Sequence, residues 1–116
     1  MKRGSGRAQR LGDLMQRELS ELIRLELRDP RVAMITITSV DVSPDMSHAK
    51  VFFTLLEKAK LEDTLHGLKR SAGFLRSQLA RRMSMYTTPE LRFAYDESIE
   101  RGDRLSQLID AANRKP

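Results

Sequence analysis

AMITITSVDVSPDMSHAKVFFTLL, residues 33–56, decides the fold. It holds two runs rich in β-branched and alternating residues around a short polar segment. In the first run Ile35 and Ile37 fall on one face and Thr36, Thr38, Val40 and Val42 on the other, so neither face is strictly apolar. Ser43-Pro44-Asp45-Met46-Ser47 has the composition of a turn. In the second run Ala49, Val51, Phe53 and Leu55 alternate cleanly. Two such runs around a short turn predict an antiparallel hairpin.

On either side of the hairpin the period changes from two to three and four. Before it, Leu11, Met15, Leu19 and Leu22 mark one face of a helix, which Asp29-Pro30 ends because a residue preceding proline is pushed out of the helical region. After it, Leu61, Leu65, Leu68, Ala72, Leu75, Leu79 and Met83 predict a second helix with one narrow apolar stripe over residues 60–84. TTPE (87–90) is read as its stop, and LRFAY (91–95) as a short strand with Leu91, Phe93 and Tyr95 alternating. Asp96 is placed to cap a last helix whose inner face is Ile99, Leu105, Leu108, Ile109 and Ala112. The order α-β-β-α-β-α implies an α+β domain, a three-stranded sheet with helices packed on one face. Residues 8–112 form this domain, with residues 1–7 and 113–116 as mobile ends.

A chain of 116 residues suits a single domain. It has no cysteine, which excludes disulfides and thiolate metal sites and fits a reducing compartment. No run approaches the ~18 apolar residues of a membrane span. MKRGSGRAQR (1–10) is basic without an apolar segment of signal-peptide type behind it, so a cytoplasmic protein is expected. The net charge is +5, and its distribution says more than its size. Lys2, Arg3, Arg7 and Arg10 form one basic block, read as a mobile arm; Lys69, Arg70, Arg76, Arg81 and Arg82 form another. Residues 96–110 are acidic. Two basic blocks and one acidic segment suggest a face for a polyanion.

KRSAGFLRSQLARR (69–82) contains an anomaly: Gly73 lies inside the predicted helix, followed by Phe74 on the side opposite the apolar stripe. Glycine costs about 1 kcal/mol relative to alanine there. A bend at Ser71-Ala72-Gly73 would account for both residues and let a phosphate approach the backbone between Lys69 and Arg76. The competing explanation is that Gly73 lets another element pack tightly. The cations around it favour a nucleic-acid contact. Arg28, Arg31 and Lys50 are weaker candidates.

The strings RELSELIRLELRDPRV, VDVSPDMSHAKVFFT, LKRSAGFLRSQLARRM and PELRFAYDESIERGDRLSQLI resemble the bacterial ribosome-binding factor A family, a type II KH-like family, from about Arg7 to Ile109. KH domains clamp nucleic acid with a Gly-x-x-Gly loop. The resemblance implies a kinked helix with an Ala-x-Gly signature in that loop's place, here Ser71-Ala72-Gly73. It implies RNA binding through Lys69, Arg70, Gly73, Arg76, Arg81, Arg82, Arg3, Arg7 and Arg10. It further implies a non-enzymatic factor that binds the free small (30S) ribosomal subunit and supports 16S rRNA processing, notably in cold adaptation. Neither cofactor, small-molecule substrate nor membrane is implied, and a monomer is expected. Many members of that family also carry a basic C-terminal extension past the last helix, near which this sequence stops at Pro116.

Other chemistry has weaker support. Ser43, Asp45, Ser47 and His48 lie within six residues, but triad partners converge from distant segments. His66 has no second ligand at metal spacing, and Asp96, Glu97 and Glu100 are explained by helix capping. Two alternatives share the charge pattern: a small nucleoid-type DNA-binding protein, and an adaptor that works through acidic segment 96–110.

Overall fold

The hairpin forms where the alternation places it, but with one residue more than the alternation allows for. The computed structural model describes residues 6–26, 35–85 and 88–98. In chain order these form α1 (Gly6–Leu25), β1 (Ile35–Val42), β2 (His48–Leu55), a short 3-10 turn (Lys58–Lys60), α2 (Leu61–Arg82) and β3 (Glu90–Tyr95). The sheet order is β1-β2-β3, with β1 antiparallel and β3 parallel to the central β2. The parallel pair follows from α2, which carries the chain from the end of β2 back to the start of β3.

The register of β1 corrects its apparent two-sidedness. Ile37 pairs with Phe53, but Ser39, not Thr38, comes next opposite Phe52. Thr38 is the extra residue of a β-bulge, which shifts the alternation by one. Val40 and Val42 therefore join Ile37 on the core side, all three buried. The bulge is held from both sides. The Gln16 side chain of α1 donates to the Ile37 and Thr38 carbonyls (3.3 and 3.1 Å). The Thr38 hydroxyl donates to Asp96 Oδ2 (2.5 Å).

Both helices cover one face of the sheet. Met15, Leu19 and Leu22 of α1, Leu68, Leu75 and Leu79 of α2, and Ala49, Val51 and Phe53 of β2 are fully buried. Phe53 meets Tyr95 of β3 edge to face, ring centroids 6.1 Å apart. At Gly12 α1 approaches the strand beneath it closely: a Cβ there would stand 2.4 Å from the Val40 carbonyl oxygen. Only glycine fits at that crossing. The predicted stripe of α1 passes over Gly12, although Ala8, Gly12 and Met15 are its buried positions there.

Two predicted boundaries move. α1 begins at Gly6, and Ala8 is fully buried, so Arg7 and Arg10 belong to a docked helix rather than a mobile arm. α2 ends at Arg82, well before TTPE. Its stop is a Schellman-type cap: Met85 N–H donates to the Ala80 carbonyl (2.9 Å), Ser84 N–H donates to that of Arg81 (3.2 Å), and Ser84 takes φ 53°. At the other end of β3, Asp96 Oδ1 accepts from the Ser98 N–H (2.9 Å) and hydroxyl (2.6 Å), the bonds expected of a helix cap. The last predicted helix and the proposed ends at 1–5 and 113–116 lie outside the described residues.

Candidate nucleic-acid interface

α2 turns its apolar stripe to the sheet and its basic residues outward, and the cations of 69–82 then separate by direction. Lys69, Arg70 and Arg81 are exposed and make no ion pair among the described residues. Gly73 lies among them with nothing among the described residues within 4 Å of the position its Cβ would take. Gly73 therefore does not serve tight packing, the competing explanation for it. Phe74 is 44 % exposed on the same outer side of the helix. The result is an open stretch of backbone with Lys69 and Arg70 about one turn before it and Arg81 about two turns after it, beside a single aromatic ring.

The helix is unbroken through Ser71, Ala72 and Gly73. Its N–H groups there belong to the helical ladder, so Gly73 offers close approach to the backbone rather than free donors.

Arg76 and Arg82 are engaged elsewhere. Arg76 donates from Nε and a terminal nitrogen to the Thr88 carbonyl (3.0 and 2.8 Å), and the Thr88 hydroxyl donates back to the Arg76 carbonyl (3.3 Å). This reciprocal tie fixes the buried Thr88-Pro89 entry into β3 against α2. Arg82 crosses to α1, where it pairs with Glu18 (3.0 Å) and with Glu21, and its side chain is only a quarter exposed. The Glu18 hydrogen bond, supported by the field of Glu21, raises the guanidinium pKa further above its ordinary value.

The remaining candidates scatter. Arg7 and Arg10 are exposed on α1. Lys50 and Arg92 face away from the helices on the other side of the sheet, Lys50 with its ammonium 5.4 Å from the Phe52 ring centroid and Arg92 3.6 Å from Glu90. Arg3, Arg28 and Arg31 lie outside the described residues. His66 is exposed and, with Lys69, lines a groove of about 890 Å³ between α2 and β3.

The Ser43/Asp45/Ser47/His48 cluster is the hairpin turn itself. Asp45 accepts from both serine hydroxyls and from the Ser47 N–H. Those bonds, that of Ser43 foremost, lower its pKa from 3.8 to about 2. His48 holds Nδ1 against the Ser47 hydroxyl (2.8 Å) and turns Nε2 to Glu90 (3.1 Å), next to it across the sheet. Such a network stabilises a turn: the Ser47 hydroxyl, although 2.8 Å from His48 Nδ1, donates its proton to Asp45 Oδ1 (2.8 Å). No group of three or more potential metal ligands occurs among the described residues, and no described helix is long and apolar enough to cross a membrane.

Comparison with known proteins meets this geometry from another direction. Residues 7–109 match the family model for ribosome-binding factor A. The ribosome-binding factor A of Dechloromonas aromatica is 54 % identical over 112 residues, covering 97 % of this chain and 91 % of that one. The crystal structure of ribosome-binding factor A from Thermus thermophilus superposes with a TM-score of 0.68 at 32 % identity, over 76 % of this chain and 94 % of that one. Coordinates of the Thermus thermophilus factor fitted into a cryo-EM map of a 30S complex superpose with a TM-score of 0.62 at 32 % identity, over 74 % and 91 % of the two chains.

Proposed function

Because the chain belongs to the ribosome-binding factor A family, we propose that it is a non-enzymatic assembly factor that binds the free small (30S) ribosomal subunit. In this reading it acts as a cytoplasmic monomer and supports 16S rRNA processing, including during cold adaptation. The fitted 30S complex of the Thermus thermophilus relative supports the choice of partner. The observation that carries the reading is the outer side of α2, where Lys69, Arg70 and Arg81 stand unpaired around the uncovered backbone at Gly73. Phosphate groups are the natural ligand of such an arrangement, since arginine presents a planar fork to them and no Cβ keeps them from the helix. A kink of α2 at Ser71-Ala72-Gly73 belongs to the same reading. Aromatic residues make up only 5 % of the chain, too few for a stacking platform, so contacts to the RNA backbone dominate.

Arg76 positions the interface by holding the start of β3, and Arg82 by tying α2 to α1. The test is co-sedimentation of a Lys69→Gln, Arg70→Gln, Arg81→Gln variant with purified free small subunits across a salt series. Binding weakens, and the slope of log affinity against log salt falls by about two to three, one for each lost phosphate contact. An unchanged slope refutes this surface. Equal affinity of the parent protein for bulk duplex DNA would favour the nucleoid alternative instead.

A further inference from the structure

The other helix of the layer carries a second row of cations. Arg10, Arg17 and Arg24 of α1 recur every seven residues, all three exposed. Seven residues bring a helix almost back to the same angular position, so the three side chains line one ridge. At 1.5 Å per residue the ridge is about 21 Å long, with a cation roughly every 10 Å. The buried positions of the helix, Met15, Leu19 and Leu22 among them, lie on the opposite side. None of the three arginines has an ion-pair partner among the described residues.

The absence of pairing has a cause in the fold. α1 has acids within reach, but Glu18 and Glu21 are drawn to Arg82 at the end of α2. Asp13, between Arg10 and Arg17 in sequence, pairs with neither. One α2 arginine thus engages two α1 carboxylates and leaves the α1 arginines uncompensated. Beside the ridge, Arg17, Ser20, Glu21 and Arg24 form one wall of a groove of about 400 Å³, closed on its other side by Ile35 and Thr36 at the start of β1.

We infer that this ridge is a second phosphate-binding surface, which holds the backbone of a double-helical RNA segment. It goes beyond the α2 site and rests on the proposed function only in taking RNA as the partner. An evenly spaced row of arginines on one helix, with no aromatic residue among them, suits a rigid, periodic backbone. A flexible single strand, by contrast, is held largely by stacking. The α1 and α2 surfaces together give the helix layer two rows of contacts, so that it grips RNA across its width rather than at one point.

The experiment compares two variants for binding to a 16-base-pair RNA duplex and to purified free small subunits, each across a salt series. In the first, Arg10, Arg17 and Arg24 become Gln; in the second they become Lys. The Gln variant is expected to bind both probes about tenfold or more weakly at moderate salt, with the salt slope reduced by about two to three. The Lys variant keeps most of the slope. Should the triple Gln variant fold poorly, Arg17→Gln and Arg24→Gln alone each reduce the slope by about one. An unchanged slope on both probes overturns the inference. So does weaker subunit binding with an unchanged slope on the duplex, which would assign the ridge to an acidic protein instead. The α2 variant, run in parallel, keeps the two surfaces apart. If it loses subunit binding while the α1 variant retains the full slope, the function stands and the second surface falls. If the α1 variant alone loses slope, the α2 assignment falls.

Discussion

Gly12 in α1 and Gly73 in α2 sit in helices of the same layer, and in sequence each is only a poor helix former inside an amphipathic stretch. Their surroundings are opposite. A methyl group on Gly12 would meet the Val40 carbonyl oxygen at 2.4 Å and Val42 Cγ2 at 3.6 Å, whereas one on Gly73 would meet nothing within 4 Å among the described residues. The first glycine sets how closely helix and sheet approach. The second gives up helix stability without any packing return, and it does so among unpaired cations. A helical glycine becomes a functional candidate when the space its side chain would fill is empty and faces solvent.

The largest expected effect tests the first half of this contrast. Gly12→Ala forces α1 away from β1, because the obstructing atom is backbone and cannot rotate aside. A loss of about 3 kcal/mol in urea unfolding is expected, at the upper end of overpacking effects. A variant as stable as the parent would show that the helix–strand spacing is not fixed at this crossing. Gly73→Ala sharpens the other half, since stability and binding should move in opposite directions. Unfolding free energy rises by about 1 kcal/mol, the ordinary helix-propensity difference. Affinity for small subunits falls, because the new methyl group keeps phosphates off the backbone. A gain in both would remove Gly73 from the interface.

Ser84 provides a third kind of position, where the backbone itself favours glycine. Its φ of 53° carries the left-handed turn that ends α2, and its side chain is exposed. Ser84→Gly should add about 1 kcal/mol with no effect on binding. The smallest effect is expected at Asp45, whose pKa is lowered in the folded protein to about 2. A lowered carboxyl pKa stabilises the fold above the unfolded value of 3.8 and loses that contribution as pH falls through about 2. Acid unfolding of Asp45→Asn should therefore lack part of the parent's pH dependence between those values. Coincident acid transitions for the two proteins would mean that the turn hydrogen bonds contribute nothing.

How legible each feature is depends on how local its cause is. The α2 stripe is readable because period alone places Leu68, Leu75 and Leu79 on one side, and all three are fully buried. The β2 strand is readable for the same reason with a period of two. The β1 bulge is not. Its origin lies in pairing with β2 and in Gln16 reaching across from α1, neither of which leaves a trace in the run 35–42. The sequence puts the stop of α2 too late because proline is a conspicuous signal and a serine in the left-handed region is not.

The site divides in the same way. Sequence locates the cationic segment and its glycine, but Arg81 and Arg82 are neighbours of identical chemistry. One residue step turns a helix by about 100°, which leaves Arg81 in solvent and sends Arg82 to Glu18 and Glu21. Only the neighbouring helix can reveal that. Arg76 is likewise identifiable as a cation, while its tie to the Thr88 carbonyl depends on where the chain returns into β3.

The glutamine at the bulge also bears on how the protein tolerates crowding. A marginal strand with unsatisfied carbonyls is a template on which a strand from another copy can add. In β1 the two carbonyls at the irregularity are occupied by Gln16, and the extra residue spoils the even repeat that a newcomer would need. At the irregularity this margin of the sheet is thus guarded against sheet-to-sheet growth by a side chain of the same molecule.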